Sequence, residues 1–226
     1  MSFKIDLHVH SSNSFDSVSN ISKIVKNAKK KGLHAICVTD HDVVSKFENI
    51  DSKIKIFYGC EISTDIGDLL AIFIKNEVKP GKWQNVVREV KAQGGVVILP
   101  HPYTYHKLSL EIIKLVDCIE VYNSRVNPEL NRKAVELASK YSKPIVACSD
   151  AHFASDVGNS YTIIECNNLS EAEVKKALIN GKTKVHYSSS NRKNVYINRM
   201  IKLVKLRAFN KVVPFIVKKV KQLIRV

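Results

Sequence analysis

Long apolar runs are missing from this sequence of 226 residues. It contains no stretch of about 18 consecutive apolar residues, the length that a membrane-spanning helix needs. It also does not open with a charged segment followed by an apolar one, as secretory leaders do. The composition, 45% hydrophobic and 25% charged, is ordinary for a globular protein. We therefore expect a cytoplasmic protein with a sizeable core, built as one large domain or as one domain with an appendage.

Paired cysteines are missing as well. The five cysteines are an odd number, and no two of them have the CxxC spacing of a zinc ribbon or a redox motif. Each lies instead in an apolar run that is typical of a strand: Cys37, Cys60, Cys118, Cys148 and Cys166. We therefore expect buried, reduced thiols rather than disulfides.

Acidic residues are missing from the C-terminal segment. Residues 184–226 hold twelve Lys and Arg and no Asp or Glu, so they carry +12 of the net charge of +15. Residues 1–183 hold 24 basic and 21 acidic residues and are nearly balanced at +3. We therefore predict a globular domain over 1–183 and a basic amphipathic helical extension over 184–226, which packs on the domain or projects from it.

The extension has the pattern of two amphipathic helices. One apolar stripe consists of Ile197, Met200, Ile201 and Val204, and a second helix is predicted over residues 213–224. Three interpretations stay open at this point. The stripes could cover the domain while the charges are solvated, the basic faces could bind nucleic acid, or, as a weaker alternative, the helices could lie on an anionic membrane surface.

Short apolar strands alternate with amphipathic helices from residue 3 to residue 179. The strands are predicted over 3–9, 35–38, 54–60, 69–74, 96–99, 118–122, 145–148 and 161–165. This order indicates an α/β fold with a parallel sheet and helices outside it. About seven such units in about 185 residues favour a closed or nearly closed barrel, with a doubly wound open sheet as the competing architecture.

The first strand carries two histidines on one face. Apolar and polar residues alternate from Phe3 to His10, so Asp6, His8 and His10 share a side. Two imidazoles separated by one strand residue converge on one point, as ligands of a divalent ion must, and the carboxylate of Asp6 can orient one of them. The alternative is a pair of surface histidines beside an aspartate.

Potential metal ligands also end several later strands. With the loop after the first strand included, the candidates are His8, His10, Asp16, His41, Glu61, His101, Asp150 and His152. In a parallel barrel the carboxyl ends of all strands lie at one face, so these residues become neighbours. Eight donors exceed the four or so that one zinc ion needs, and we therefore predict two or three divalent ions that share bridging carboxylates.

Each of these candidates also has an ordinary structural explanation. His41 could adjoin a helix cap, His101 could be a rigid turn residue between two prolines, and Asp150 could be an N-cap. Independent explanations of this kind at every strand end are improbable together. The remaining histidines, by contrast, are expected to be structural or solvated: His34, His106 and His186.

Six motifs, DLHVHSSNSFDS, VTDHD, GCEIS, ILPHPY, IEVYNSR and ACSDAHF, occur in this order over roughly residues 3–165. In order and spacing they resemble the PHP (polymerase and histidinol phosphatase) superfamily of metal-dependent phosphoesterases, in its small stand-alone form. The resemblance implies a distorted (β/α)7 barrel related to the TIM barrel. It also implies a trinuclear site of zinc, manganese or iron, with metal roles for the eight candidates above.

The sequence departs from this family in one place. Many members have a further histidine between the HP motif and the DxH motif, where this chain has Glu120, Tyr122, Asn123 and Arg125. Either Asn123 or Glu120 takes its place as a ligand, or the third ion is weakly held.

These residues predict hydrolysis of a phosphate ester by a metal-activated hydroxide. The substrate would be a phosphorylated small molecule or nucleotide, or an oligonucleotide end, with nucleic acid as a further partner of the basic extension. Glu61 is predicted to bridge two ions, and His41 or His152 to assist by proton transfer or orientation. Arg125 could bind a phosphate oxygen bidentately, although a solvated loop arginine fits it equally.

Two other functions remain as alternatives. The chain could be a catalytically weak scaffold that binds nucleic acid or protein through its basic helices, or a metal-dependent amidohydrolase. A nearly complete ligand set favours an enzyme over a scaffold. Against an amidohydrolase, no metal-bridging lysine can be assigned in the sequence.

Overall fold

Nine strands and six α-helices form in the part of the chain that the structure, a computed structural model, describes: residues 1–48, 50 and 53–205. The strands are β1 Ser2–Val9, β2 Ala35–Val38, β3 Lys55–Thr64, β4 Gly67–Ile72, β5 Val96–Leu99, β6 Cys118–Asn123, β7 Ile145–Cys148, β8 Tyr161–Glu165 and β9 Thr183–His186. The helices are α1 Ile21–Lys30, α2 Trp83–Ala92, α3 Leu110–Leu115, α4 Pro128–Lys140, α5 Glu171–Ile179 and α6 Arg192–Lys205. Every strand predicted above is present, with ends that differ by a few residues.

The strands form one sheet in the order β7-β6-β5-β4-β3-β2-β1-β8-β9. The end of β1 closes back on the segment after β7 through a parallel bridge between Val9 and Ala151, and Thr162 of β8 hydrogen-bonds with the backbone of Ala147 in β7. The sheet is therefore a nearly closed barrel, and the predicted barrel fold is confirmed.

The prediction of an all-parallel sheet is wrong in two places. Strands β3 and β4 form an antiparallel hairpin in which Thr64 pairs with Gly67, and β4 is also antiparallel to β5. A turn this short can join only antiparallel strands, because two parallel strands need a crossover connection of a dozen or more residues. The second place is the other flank, where β8 runs antiparallel to both β1 and β9.

The helices cover the outside of the sheet with the apolar faces that the sequence predicts. Helix α1 buries Ile24, Val25 and Ala28, and its N-terminus is capped by the side chain of Asn20. Helix α4 begins at a proline, as predicted, after an Asn127 cap. The five cysteines are buried and unpaired, as their apolar context predicts.

Asp6 fastens the first strand to the segment after β7, where the barrel closes. Its fully buried carboxylate accepts the backbone N–H of Ser149 through Oδ1 at 3.0 Å and that of Gly158 through Oδ2 at 2.9 Å. Burial raises the pKa of this carboxyl to about 6. The expectation that Asp6 orients a histidine of its own strand is not met, because both of its oxygens serve the backbone of the loops after β7.

An Asp6→Asn variant is expected to unfold with a free energy lower by about 1–3 kcal/mol, because an amide can accept only one of the two N–H groups and turns a donor toward the other. In a chain of this size, thermal denaturation at pH 8 should show a midpoint lower by roughly 2–12 °C. The exposed Glu77→Gln variant changes the charge equally and should stay within about 0.5 kcal/mol of the wild type. An unchanged midpoint for Asp6→Asn would contradict this role.

The C-terminal extension is described only in part. Residues 184–186 belong to β9, which pairs with β8, and the predicted first helix of the extension is α6. The predicted second helix, over residues 213–224, lies outside the described residues. None of the described helices is long and apolar enough to cross a membrane.

Candidate metal centre

Every residue predicted as a metal ligand lies at one end of the barrel. His8 lies in β1 and His10 directly after it, and His41 follows β2 and bridges to Glu61 in β3. The others lie on the segments that leave their strands: Asp16 after β1, His101 after β5, and Asp150 and His152 after β7. The strand ends thus bring together residues that are up to 144 positions apart in the sequence.

The Glu61 carboxylate lies at the middle of the group and is only 2% exposed. Its Oε2 is 3.2 Å from Nε2 of His8, 3.2 Å from Nε2 of His10 and 3.4 Å from Nε2 of His41. Its Oε1 is 3.1 Å from Nε2 of His101. Burial would raise the pKa of Glu61, but the surrounding imidazoles hold it well below the ordinary value, so the carboxylate is charged.

Around Glu61, three sets of side chains place their ligand atoms within 4.8 Å of one another. The sets are His8, His10 and Glu61; His8, His101 and Asp150; and His10, Asp16, His41 and His152. In the third set, Oδ2 of Asp16 is 3.0 Å from Nε2 of His152 and 3.4 Å from Nε2 of His41. His8 and His10 each belong to two of the sets, so the three sets adjoin one another.

The chemistry of these donors fits divalent ions. Nε2 of His8 and Nε2 of His10 lie only 3.0 Å apart, and both side chains are fully buried. Two imidazole nitrogens that face each other at this distance away from water need either a proton between them or a cation that both can bind. Mixed imidazole and carboxylate donors suit zinc, manganese and iron. The cluster is therefore a candidate site for divalent metal ions.

Glu120 provides the support that the sequence assigned to Asp6. Its Oε1 is 3.1 Å from Nδ1 of His8, which directs Nε2 of that ring toward Glu61. Its Oε2 accepts the backbone N–H of His101 at 2.8 Å and the amide of Asn123 at 3.0 Å. Glu120 thus orients one predicted ligand and fixes the backbone of another.

Asn123 lies against the cluster with its amide nitrogen inward. That nitrogen donates to Oε2 of Glu120 and, at 3.2 Å, to Oδ2 of Asp150, while the side-chain oxygen accepts the backbone N–H of Arg125 at 2.9 Å. The ligand role considered for Asn123 stays a prediction. In this arrangement its oxygen accepts one backbone hydrogen bond, and its amide nitrogen supports two carboxylates.

The Arg125 side chain is turned toward the cluster and is 19% exposed, so the alternative of a solvated loop arginine does not apply. Its Nη1 lies 3.2 Å from Oδ1 of Asp150 and also contacts the ring of His152. Burial would raise the pKa of Asp150, but Arg125 and His8 hold it well below the ordinary value. The other guanidinium nitrogen, Nη2, donates to Oδ1 of Asn198 in α6 at 2.5 Å.

Comparison with known proteins identifies the family. A family model described as PHP-associated matches residues 128–183. The uncharacterized protein MJ0417 of Methanocaldococcus jannaschii is 33% identical in an alignment of 171 residues that covers 70% of this chain and 69% of that protein. The chain belongs to the PHP superfamily.

Several solved structures are similar to the chain in fold. A two-domain protein of Bacteroides vulgatus that contains a predicted PHP-like metal-dependent phosphoesterase has a TM-score of 0.69 at 23% identity, with 83% of this chain and 65% of that chain covered. The lesion-specific endonuclease EndoQ of Pyrococcus furiosus has a TM-score of 0.61 at 19% identity, with 82% and 58% covered. The PHP chain therefore spans less than two thirds of either protein.

A third structure, described as an amidohydrolase of Chromobacterium violaceum, has a TM-score of 0.58 at 14% identity and covers 80% of this chain and 97% of that one. At these levels of identity the three likenesses establish the fold of the PHP chain. Its reaction has to be argued from its own residues.

His106 of the PHP chain lies closer to the cluster than the sequence indicated. Its ring centroid is 5.6 Å from that of His101, and its Nε2 donates to the carbonyl of Asp68 at 2.6 Å. Burial and then the neighbouring His101 lower its pKa to about 4, so the ring is neutral. The remaining two histidines lie elsewhere: His34 accepts the backbone N–H of Lys4, and His186 stacks on Tyr161.

Three further residues around the cluster were not singled out from the sequence. Asp40 accepts the backbone N–H and the hydroxyl of Ser11, each at 2.6 Å, and so closes the loop that carries Asp16. The ring of Phe15 stacks on His41 at 4.8 Å. Asp40 could have been found from its position directly before His41 in the TDHD run, whereas no sequence signal marks Asn198, the residue of α6 that contacts Arg125.

Proposed function

We propose that this PHP protein hydrolyses phosphate esters at the buried cluster centred on Glu61. The observation that carries the proposal is the contact of one carboxylate with four imidazoles, flanked by Asp16 and Asp150, at the barrel end. Divalent ions bound there supply a water of lowered pKa and neutralise the charge on the phosphoryl oxygens.

The residues of the cluster divide into groups by their contacts. We assign His8, His10, His101, Glu61 and Asp150 to one part of the site, because their ligand atoms share Glu61 or Asp150. Asp16, His41 and His152 form the other part, and His10 of the first part also has a ligand atom within 4.8 Å of theirs. Two neighbouring ions, one held by each part, would together stabilise the attacking and leaving oxygens of an in-line displacement.

His41 and His152 act by holding and orienting rather than by moving protons. Each directs Nε2 at Oδ2 of Asp16. Nδ1 of His41 is buried without a hydrogen-bond partner, and Nδ1 of His152 lies 3.0 Å from the carbonyl oxygen of Asp150. Both nitrogens of His152 are thus engaged, and the free Nδ1 of His41 is buried with no polar group beside it to receive its proton. Arg125, partly exposed beside Asp150, binds a non-bridging phosphate oxygen.

The first test is chemical. Protein loaded with Mn²⁺ or Zn²⁺ is expected to release phosphate from an aryl phosphate and to leave a matched aryl amide intact, while protein stripped with a chelator is expected to do neither. Release of the aryl amine from the amide at a rate equal to or above that of the phosphate would favour the amidohydrolase alternative instead. If the protein cleaves neither the phosphate ester nor the amide with any divalent ion, the scaffold alternative is favoured.

Nucleic acid is a second candidate substrate class. The similar fold of EndoQ and the basic character of residues 184–226 both favour it. An oligonucleotide with a terminal phosphate, offered beside the aryl phosphate, distinguishes a terminal phosphatase from a nuclease, because only a nuclease shortens the strand.

A further inference from the structure

Helix α6 lies against the metal-site end of the barrel and is tied to it through one buried residue. Asn198 is 2% exposed, and its Oδ1 accepts from Nη2 of Arg125. Its Nδ2 donates to the backbone carbonyl of Asp16. A single side chain of α6 therefore holds both the arginine of the cluster and the loop that carries one of the predicted ligands.

Two lysines continue this contact along the same face of α6. Lys202 and Lys205 follow Asn198 by four and seven positions, which places all three side chains on one side of a helix. Lys205 donates to the carbonyl of Ser17 at 2.6 Å and to that of Ser14 at 3.2 Å, so its ammonium is engaged by the backbone.

Lys202 is placed differently from Lys205. Its Nζ lies 3.9 Å from Oδ2 of Asp16, beyond hydrogen-bond distance, and 4.9 Å above the ring of Phe15, which stacks on His41. The side chain is 44% exposed. The ammonium thus lies at the mouth of the cluster, one aromatic ring away from His41, with donors available to a ligand.

The positive charge of Lys202 suits the binding of an anion at the metal site. Asp16 is a predicted ligand, and a cation bound to it would neutralise the carboxylate that now attracts the ammonium. A lysine beside divalent ions then loses its favourable contact and is repelled by them unless an anion lies between, although its partial exposure to water weakens the repulsion. The substrate phosphate is an anion that would occupy that place.

We propose that Lys202 is a substrate-binding residue whose ammonium, together with the Arg125 guanidinium that Asn198 holds, binds the dianionic phosphate of a phosphomonoester. This inference rests on the proposed function and deepens it by naming the substrate class. Two fixed cations beyond the metal ions suit a terminal phosphate with two charges better than a phosphodiester with one.

The kinetic test compares Lys202→Gln with Lys193→Gln, which removes the same charge from an exposed position at the start of the same helix. With an aryl phosphomonoester at pH 8, Lys202→Gln is expected to raise KM about tenfold, as for the loss of one charge-assisted hydrogen bond, and to change kcat much less. With a diaryl phosphodiester the rise should stay below about threefold. Lys193→Gln should match the wild type on both, and Lys202→Arg should recover most of the loss.

A binding test separates this inference from the proposed function. Calorimetric titration of the metal-loaded protein with inorganic phosphate should give a Kd about tenfold weaker for Lys202→Gln than for the wild type or Lys193→Gln. If the wild type hydrolyses the monoester while Lys202→Gln keeps its KM and its phosphate affinity, the inference is overturned and the function stands. If the wild type hydrolyses no phosphate ester but phosphate binding depends on Lys202, the function fails and the anion site stands. Equal losses on monoester and diester would overturn the assigned substrate class.

Discussion

A Glu61→Gln variant is expected to hydrolyse the aryl phosphate on the order of 10³-fold more slowly than the wild type in kcat/KM. Replacing the carboxylate removes the one negative charge that touches His8, His10, His41 and His101 together. An amide offers one acceptor oxygen and turns an NH₂ group toward a ring nitrogen on its other side. The ions would lose the group they share, and several kcal/mol of transition-state stabilisation would go with it.

The measurement pairs kinetics with metal analysis of the same preparation. Glu136→Gln is the matched control, because Glu136 is exposed on α4 and pairs there with Arg132, away from the cluster. It should keep the wild-type rate and metal content. Glu61→Gln should bind fewer ions per chain at the same free metal concentration. Wild-type rate and metal content in Glu61→Gln would show that the ions are held without a bridging carboxylate.

The position of this cluster could be predicted from the sequence because it depends on strand ends. His41, Glu61, His101 and Asp150 each stand where an apolar run stops, and the carboxyl ends of neighbouring parallel strands share one face. The prediction needed only the apolar runs that mark the strands and the identity of the polar residue that follows each run.

The supporting contacts could not be predicted in the same way. Asp6 and Glu120 are both acids on the inner face of a strand, and only the closure of the barrel decides that Glu120 meets His8 while Asp6 meets the backbone of Ser149 and Gly158. The β3–β4 hairpin escaped prediction because Thr64 to Gly67 holds no strong hairpin signal beyond a single glycine.

The extension shows the limit of pattern-based prediction most clearly. The apolar stripe of α6 predicted a helix, but the contacts that matter for the site come from Asn198 and Lys202, which are polar residues outside that stripe. Truncation before α6 would therefore remove contacts to Arg125 and to the Asp16 loop as well as basic charge. We therefore expect a chain truncated before α6 to lose activity on a small aryl phosphate as well as on an oligonucleotide.

Removing the metal ions is expected to lower the thermal stability of the wild type by a large amount. The cluster keeps the acids Glu61, Asp16 and Asp150 beside histidine side chains that are almost fully buried. Bound cations satisfy these groups in the folded state alone, so each saturated site contributes RT ln(1 + [M]/Kd), about 2.7 kcal/mol at a free metal concentration of 100 times Kd. For a chain of this size that corresponds to roughly 5–10 °C in the unfolding midpoint per site.

Calorimetric unfolding of metal-loaded, chelator-treated and reloaded protein measures this effect, and reloading should restore the midpoint. The double variant His8→Ala, His10→Ala is the control, because it lacks the two side chains that join the three predicted sets of ligands. Its midpoint should respond much less to the chelator than that of the wild type. If metal analysis shows that the ions are gone and the wild-type midpoint has not moved, the buried acids and imidazoles neutralise one another without them. The ions would then serve the reaction and not the fold.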